Sequence, residues 1–488
     1  MRNFIYKSII FSLFFSVLFG LFLYSSNSPL GASYGSDNSM YLTMGTALKN
    51  GYRPYLDIFD HKGPFLFLIQ LLPQLFSSGY STTAVFIQEV IFLFFSLCIL
   101  GFLSVRYLGM NSPLWIQLIY LAAISSLVSG GNLCEEYSNL FLIISIFFAL
   151  RYENDVEKNK VWSSFIPIGA CFAISFLTRA NNGLPIAFFF LGFLIYNKSL
   201  SSLFKMILAF SIGAVIVSFP IFIWLISHRA LNASFQASIL HNFLYSETVG
   251  PYVNGRLKQL LTTDYGLFSI LLFFFSFAGA LCIRKKSPAF SISMILSAAG
   301  SGIAAYISHK YYLHYLILGV PMSVIGIILI ISTVPSKYAK PAIMFSTFFC
   351  IIWTIYQGFI ANQLRIQDRF GIVQYIEDAK KLTSQIPKED QSSVYPYRVE
   401  PKWYVVADIL PSYKYYFLQE ILAESNPKIM DEIVDYFNKT PPKWVVIFND
   451  NREFSPPYDT RIQEIFNKLY TTVDSAGDYQ LLHLNPLV

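Results

Sequence analysis

Long apolar stretches separated by short polar ones fill the first 361 positions of the chain, and the pattern then changes. A run of about 18 or more apolar residues is long enough to cross a bilayer as a helix. Eleven spans are predicted on this basis, some of them shorter runs that fit the series: 5–24, 82–104, 113–130, 138–151, 162–178, 184–197, 204–226, 265–282, 288–307, 312–332 and 341–361. Pro64–Phe76 is apolar but short, which favours a half-span or an interfacial helix. The prediction is a polytopic α-helical membrane protein with about 11 spans, in a range of about 10 to 13.

The basic residues orient these spans. Arg2 and Lys7 precede the first apolar run, which has no convincing small-residue cleavage site and is predicted to be an uncleaved span. With a cytoplasmic N-terminus, the short loops on that side carry thirteen lysines and arginines, against eight in the longer loops opposite. Because cytoplasmic loops are enriched in basic residues, this bias places Tyr34–Pro64 and everything after Ala361 outside the cytoplasm. The expected location is the plasma (inner) membrane.

Beyond Asn362 the sequence is charged and Pro-containing, like that of a water-soluble domain. Helical patterns alternate with short β-rich runs, which predicts a small C-terminal extracytoplasmic α/β domain at 362–488 after a membrane domain at 1–361. The predicted helices are Arg369–Gln385, Tyr413–Glu424, Lys428–Asn438 and Thr460–Leu469, and the predicted strands are Ser393–Tyr397, Trp444–Phe448 and Tyr479–Leu484. No phosphate loop, dinucleotide fingerprint or catalytic signature lies there. We expect this domain to cap the outer face or to help bind an acceptor.

Composition agrees with the membrane class. Hydrophobic residues make up 54% of the chain and charged residues only 13%, whereas soluble domains carry roughly 25% charged residues. The net charge of +6 is modest and no basic tail is present, so a nucleic-acid partner is not expected. The five cysteines form no CxxC pair and no metal-ligand spacing, which leaves no disulfide framework.

The segment Tyr34–Pro64, here called the first loop, is unusually rich in chemistry for a linker beside a membrane span. Its sequence is YGSDNSMYLTMGTALKNGYRPYLDIFDHKGP. Within about thirty residues it contains the charged and titratable side chains Asp37, Arg53, Asp57, Asp60, His61 and Lys62. Solubility alone requires neither carboxylates nor a lysine here. Carboxylates, a lysine and aromatic residues at the membrane surface suit a site that binds a charged lipid head group.

Two local patterns predict where these charges lie. Ser36 and Asp37 precede a helix-compatible stretch, so Asp37 and Tyr41 share a face if that helix begins there. A simple N-terminal cap is the alternative role for Asp37. Pro64 suits the first turn of the next helix, which places Lys62 just ahead of a helix N-terminus, where free amides favour phosphate oxygens. A mere interfacial anchor is the alternative for this lysine.

An early outer-loop Asp, the G-x-x-P-Y-x-D pattern at 51–57 and Lys-Gly-Pro at 62–64 resemble the C-type (GT-C) membrane glycosyltransferases. These include protein O-mannosyltransferases, lipid A aminoarabinose transferases and bacterial polysaccharide-modifying relatives. The resemblance extends to the topology of the whole chain. It implies that Asp37 is the catalytic base or an acceptor-orienting residue, and that Lys62 binds the lipid phosphate. Many relatives carry a second acidic residue where Asn38 stands, so the sequence does not support a divalent metal, and no cofactor is expected to be required.

Two acidic residues at the mouth of a later span, Glu135 and Glu136, are similar to the second acidic loop of several relatives. One of them is expected to bind the acceptor or to pair with an arginine, because acidic residues there are costly unless they face water or a partner. A solvated helix cap is the alternative. Arg179 follows the fifth predicted span and could pair with these carboxylates or with the donor phosphate.

The stretch Ser308–Tyr315, ahead of Pro321, resembles H-Y-Y and Y-x-H-Y patterns that bacterial relatives carry at the same place. Lys310 and His314 are therefore expected to contact the donor phosphate. The tyrosines could pack on lipid or sugar, or simply form an aromatic belt at the interface. The outer segment His228–Tyr265 is expected to cover the lipid carrier, and we assign it no catalytic role.

The implied reaction is transfer of a sugar from a polyprenyl-phosphate donor, of the undecaprenyl type, to an extracytoplasmic acceptor such as a cell-envelope glycan, a lipid or a protein. In the family mechanism Lys62, with Lys310 or Arg179, neutralises charge on the leaving phosphate. Asp37 accepts the proton of the attacking hydroxyl, and in-line attack inverts the anomeric centre. Asp57, Asp60, His61 and Tyr41 are expected to contact sugar or acceptor, or to support the loop.

Two other classes remain as alternatives. A polysaccharide polymerase or ligase also has many spans, but usually with essential arginines in mid-chain loops rather than a cluster in the first loop. A lipid or solute transporter would need ionisable residues within several spans or two similar halves. The predicted span interiors are nearly free of charge, and no internal repeat is found.

Overall fold

The computed structural model describes residues 2–154, 161–248, 263–308, 310–448 and 459–486. Nineteen α-helices, labelled α1–α19, are distinguished within these ranges. They are α1 Arg2–Leu23, α2 Ser36–Lys49, α3 Pro64–Gln74, α4 Thr82–Arg106, α5 Leu114–Ser125, α6 Cys134–Asn154, α7 Val161–Thr178, α8 Leu184–Tyr196, α9 Leu200–Ser227, α10 Leu231–Phe235, α11 His241–Thr248, α12 Asp264–Ile283, α13 Pro288–Tyr306, α14 Val320–Thr333, α15 Ser336–Ser384, α16 Lys402–Ala407, α17 Gln419–Ser425, α18 Lys428–Lys439 and α19 Thr460–Leu469. A π-helical turn, Gln236–Leu240, joins α10 to α11.

Contacts among the described residues divide the chain into two compact units. One unit takes in the stretches 1–31, 86–224 and 250–363, and the other takes in 32–85, 225–249 and 364–488. The second unit therefore groups the first loop and the segment around α11 with the C-terminal region. The sequence-based division at residue 361 treated these stretches separately.

The predicted polytopic helical architecture is confirmed. Eight helical segments in the described ranges are long and apolar enough to cross a membrane, and α5 and α8 are shorter apolar helices within predicted spans. Large apolar side chains lie exposed on the outer surfaces of such helices, for example Phe219 on α9, Phe274 on α12 and Phe348 on α15, each more than half exposed. Because water would disfavour such surfaces, they face lipid, and the protein is an integral membrane protein.

Small residues let the membrane helices approach closely. A side chain added at Gly169 of α7 would collide with the backbone of Phe210 on α9, and one at Gly213 of α9 would collide with the backbone of Ile166 on α7. Gly279 of α12 has the same relationship to Gly326 of α14. Helices in lipid gain stability mainly from close packing, so these glycines are sites where the helix pairs are fixed.

Glu89 is an acidic side chain within a membrane-spanning helix. Glu89 of α4 is 3% exposed. Its carboxylate accepts hydrogen bonds from the Asn27 side-chain amide, at 3.0 Å, and from the backbone N–H of Asn132. Paired in this way, the side chain joins α4 to the segment after α1 and to the segment before α6, so its polar atoms are satisfied within the protein.

The C-terminal region contains the predicted mixed α/β layer. Four strands, β1 Val394–Tyr397, β2 Trp444–Phe448, β3 Tyr470–Ala476 and β4 Tyr479–Leu484, form one sheet in the order β1-β2-β4-β3. β1 pairs with β2 in parallel, while β4 pairs antiparallel with β2 and β3. β3 was not predicted, because its exposed polar residues alternate too weakly to indicate a strand. The helix predicted at Arg369–Gln385 is wrong as a separate element, since α15 runs unbroken from Ser336 to Ser384.

Candidate active site

The first loop folds into two helices with a compact turn between them. α2 begins at Ser36, so Asp37 lies in its first turn and Tyr41 lies one turn later, as the spacing predicted. Gly35 occupies the N-cap position of α2, and no side chain makes a capping hydrogen bond there, so Asp37 does not serve as the helix cap. Its carboxylate is exposed, and no hydrogen bond or ion pair joins it to the described part of the chain. Asp37 is therefore accessible to a substrate.

Lys62 is the buried cation of this loop. Its side chain is only 10% exposed, and it lies two residues ahead of α3, which begins at Pro64 as predicted. The Nζ atom lies 3.1 Å from His61 Nε2 and 3.7 Å from Asp60 Oδ1, and it also lies 5.7 Å from the centre of the Tyr41 ring. The Tyr55 hydroxyl donates to the Lys62 carbonyl at 2.8 Å, which fixes the backbone. An ammonium group so enclosed exerts a strong field, because little water screens it.

Asp60 is the carboxylate that balances this lysine. It is fully buried, and its Oδ1 accepts the Lys62 backbone N–H at 2.8 Å. Burial raises the pKa of Asp60 above its usual value, and the nearby Lys62 ammonium acts in the opposite direction. The Asp37 carboxylate raises the pKa of Asp60 a little further, so the two acids influence each other electrostatically. Asp60 is a structural partner of Lys62, enclosed rather than presented to solvent.

A histidine that the sequence did not single out completes this cluster. The His241 ring at the start of α11 lies 6.0 Å from the His61 ring and 5.6 Å from the Phe59 ring. Asn242 donates from its side-chain amide to the His61 carbonyl at 2.8 Å. Burial lowers the pKa of His241 to about 4, and the Lys62 ammonium acts in the same direction, so this ring is neutral at pH 7. The signal in the sequence was a polar His-Asn pair within a segment of mixed apolar and polar residues.

Asp57 has a different environment from Asp60. It accepts hydrogen bonds from the Arg53 backbone N–H at 2.8 Å and from the Arg53 guanidinium at 2.7 and 2.9 Å. The Arg53 side chain is 49% exposed, and the Asp57 pKa is lowered mainly by this hydrogen-bonded partner. The pair closes the turn between α2 and α3 at the surface, and nothing in its geometry joins it to Lys62.

In the other unit, Arg179 and Glu135 form a buried ion pair. Arg179 Nη1 lies 2.6 Å from Glu135 Oε1, and the two side chains are 13% and 3% exposed. Arg179 Nη2 also donates to the Tyr315 hydroxyl at 3.0 Å, and the guanidinium carbon lies 4.4 Å from the centre of that ring. The arginine thus has the carboxylate partner that the sequence allowed for. Its assignment to the donor phosphate stays a prediction.

Glu136 acts as the cap of α6. Its Oε2 accepts the backbone N–H of Leu133, the residue just before the helix, at 3.1 Å. This is the carboxylate half of a capping box. The helix-cap part of the alternative noted for this residue therefore describes its geometry, but the cap is not solvated, because Glu136 Oε1 is buried. It contributes to the fold by fixing the entry of α6.

Lys310 and His314 precede α14. His314 lies in a short 3₁₀ helix, Leu313–Gly319. Its ring stacks on Tyr312 at 5.5 Å and meets the edge of Tyr315 at 4.7 Å, which brings it beside the Arg179 pair. Lys310 is half-buried. Contact of either residue with the donor phosphate stays a prediction, and His309 lies outside the described residues.

A metal site was not predicted from the sequence. In the described ranges, no group of three or more His, Cys, Asp and Glu side chains is arranged to hold a metal ion. Asp60, the most enclosed acid near Asp37, already faces the Lys62 ammonium. The lack of a cofactor requirement stays a prediction.

Comparison with solved structures identifies the fold. The chain is similar to ArnT from Cupriavidus metallidurans bound to undecaprenyl phosphate, with a TM-score of 0.62, 12% identity and 97% of each chain covered. Apo ArnT from the same organism gives a TM-score of 0.58 at 12% identity, covering 91% of this chain and 92% of that chain. The Archaeoglobus fulgidus oligosaccharyltransferase tethered with an acceptor peptide gives 0.51 at 13% identity, covering 90% of this chain and 68% of that chain.

No family model and no curated protein matches the sequence. At these identities the structural likeness establishes the fold, which is the GT-C fold that the first-loop motifs implied. The likeness covers both the membrane helices and the C-terminal α/β layer, because it extends over nearly the whole chain.

Proposed function

We propose that this protein transfers a sugar from a polyprenyl-phosphate carrier to an acceptor outside the cytoplasm. One observation carries the proposal: a chain with the fold of an ArnT that binds undecaprenyl phosphate encloses an ammonium group, Lys62, in the same loop as an accessible carboxylate, Asp37, and both side chains act electrostatically on Asp60. In a sugar transferase with a phosphate leaving group, these two charges have separate tasks: the ammonium stabilises the leaving phosphate, and the carboxylate accepts the proton of the attacking hydroxyl.

Lys62 is the donor-phosphate residue in this proposal. Lys62 stands two residues ahead of α3, whose N-terminal backbone amides and helix dipole also favour an anion. At about 4 Å in an environment with an effective dielectric constant near 20, a unit charge pair is worth about 4 kcal/mol. As the bond to the sugar breaks, negative charge grows on the phosphate, so the interaction strengthens in the transition state.

Asp37 is the proposed base. It accepts the proton of an acceptor hydroxyl while that oxygen attacks the anomeric carbon and the carrier phosphate leaves. Asp60 is unsuited to this task because it is fully buried and directed to Lys62. Attack from the side opposite the phosphate gives inversion at the anomeric carbon.

The remaining basic groups have supporting roles in the proposal. Lys310 and His314, in the segment before α14, are further candidates for the donor phosphate because of the sequence pattern that they belong to. Arg179 fixes the Tyr315 ring and Glu135, and through them the outer ends of α6 and α7. The long apolar helices hold the lipid tail, and the C-terminal α/β region lies outside the cytoplasm beside the acceptor.

The test is transfer of radiolabelled sugar from defined polyprenyl-phosphate donors to a crude envelope acceptor. The wild type is compared with Asp37→Asn in liposomes. Transfer that requires the carrier and is abolished in a folded Asp37→Asn variant is the expected result. Undiminished transfer in that variant would remove Asp37 from the mechanism, and acceptor-independent movement of a lipid or solute would favour a transporter.

A further inference from the structure

A cavity lies beside the Lys62 cluster within the same compact unit. It has a volume of about 270 Å³ and is enclosed by α11 and the π-helical turn before it, by Phe59 of the first loop, and by the Lys414–Tyr415 and α18 segments. Small-molecule sites span roughly 300–1,000 Å³, so this space suits one or two sugar rings rather than a long chain. The first-loop and C-terminal walls are joined where Phe59 N–H donates to the Lys414 carbonyl at 3.0 Å.

Two aromatic rings form one wall of the cavity. The ring centres of Phe59 and Tyr415 lie 5.1 Å apart, and the two ring planes form an angle of 59°. The His241 ring packs edge-to-face with Phe59, with 5.6 Å between the ring centres. Glu432 orients the wall, because it accepts from the Tyr415 hydroxyl at 3.3 Å and pairs with Lys414 at 2.5 Å. Rigid aromatic faces beside polar groups match the two surfaces of a sugar ring, which presents apolar C–H groups on its faces and hydroxyls at its edges.

Three polar side chains of the lining are available to a ligand. Gln236, Asn426 and Lys428 line it, and the described part of the chain supplies none of their side chains with a hydrogen bond. Gln236 belongs to the π-helical turn, an irregularity that is common at functional sites because it re-aims side chains. These groups are positioned to bind hydroxyl or charged substituents of a ligand.

The charges of the lining favour an anionic ligand. Lys414 is balanced by Glu432, and His241 is neutral, whereas Lys428 has no acidic partner among the described residues. The cavity therefore carries one uncompensated positive charge. Because His241 and Phe59 belong both to this lining and to the surroundings of His61, the cavity adjoins the place where Lys62 would hold the donor phosphate.

We propose that this cavity binds a saccharide bearing a carboxylate or similar anionic substituent, and that it is the acceptor subsite. The second half rests on the transferase function proposed above. The saccharide rings pack on Phe59 and Tyr415, Gln236 and Asn426 bind hydroxyls, and Lys428 binds the anionic group.

The experiment measures binding without any donor. The full chain in phosphatidylcholine nanodiscs is titrated with cellobiuronic acid and with cellobiose, two disaccharides that differ by one carboxylate, and binding is followed by saturation-transfer NMR. We expect cellobiuronic acid to bind about tenfold more tightly than cellobiose. This ratio corresponds to the lower end of the free energies found for hydrogen bonds to charged groups. Lys428→Glu should abolish this preference.

Two further variants make the test specific. Lys439→Glu is the matched control, because Lys439 ends the same helix and is 72% exposed in a pair with Asp435. It should leave the preference unchanged. Leu240→Trp narrows the cavity from an exposed position on its lining and should weaken both disaccharides about equally.

Each outcome decides the proposal. Equal affinity for the two disaccharides, an undiminished preference in Lys428→Glu, or no binding of either disaccharide to the wild type would overturn it. The binding experiment contains no donor, so it is independent of the transfer assay described above. If that assay showed no sugar transfer, the transferase function would be refuted and the binding result would still stand. Conversely, an empty cavity would leave the roles of Asp37 and Lys62 intact.

Discussion

Replacing Lys62 by methionine tests the charge on which the proposed reaction depends. The substitution keeps an unbranched side chain of similar length and removes the ammonium that lies 3.1 Å from His61 Nε2 and 3.7 Å from Asp60 Oδ1. We expect two separable effects. One is the loss of stabilisation of the leaving phosphate. The other is the loss of the cation that pairs with the buried Asp60 carboxylate.

The size of each effect follows from burial. Loss of a charge interaction worth about 4 kcal/mol, part of which is already offset by Asp60, predicts a fall in kcat/KM of about 10²- to 10³-fold. Removing one member of a buried ion pair typically costs about 3–5 kcal/mol of folding stability. The double variant Lys62→Met with Asp60→Asn removes both charges and is expected to regain most of that stability, because buried ion pairs can be replaced by neutral groups at little cost. It should not regain transfer.

The assay combines initial rates of sugar transfer in liposomes with thermal unfolding of the purified protein. Lys49→Met is the matched control. Lys49 ends α2, and within the described ranges its ammonium donates to the Ser77 carbonyl rather than to any member of the Lys62 cluster. It should change kcat/KM less than about threefold, because its ammonium contacts no member of the proposed site. If the double variant recovered both stability and transfer, Lys62 would be merely the partner of Asp60, and the proposed phosphate contact would be refuted.

Four further outcomes are expected. Asp37→Asn should abolish transfer and leave the free energy of unfolding within about 0.5 kcal/mol of wild type, because the exposed Asp37 carboxylate has no hydrogen-bond partner in the described part of the chain. A loss of stability comparable to that of Lys62→Met would contradict this. Arg179→Met should destabilise the protein by about 3–5 kcal/mol through the unpaired Glu135, and added Glu135→Gln should restore it. His241 should titrate near pH 4 in an NMR experiment, and its pKa should move closer to the ordinary value in Lys62→Met. Because the pKa of His241 is lower in the folded protein than in the unfolded chain, the free energy of unfolding should decrease as pH falls from about 6.5 to about 4. Chelation by EDTA should leave transfer unchanged, and a loss reversed by added divalent metal would show a metal requirement.

Much of this protein could be predicted from local sequence patterns. An apolar run forces a helix in lipid because backbone groups there must bond within the segment, so α4, α7 and α13 begin and end close to their predicted limits. Pro64 starts α3 because proline fits only the first turn of a helix, and this fixed the position of Lys62. Trp444–Phe448 was predicted as a strand from its run of apolar and β-branched residues.

The roles of individual charges depended on contacts between distant parts of the chain. Asp57 and Asp60 stand three residues apart in one loop, yet one forms an exposed turn with Arg53 and the other is sealed against Lys62. Asn242 reaches the His61 carbonyl across 181 positions in sequence, and no local pattern specifies that pairing. Sequence periodicity determines which residues form a helix and which face is apolar. Burial and charge pairing set what a carboxylate or an imidazole can do, and only the tertiary structure decides these.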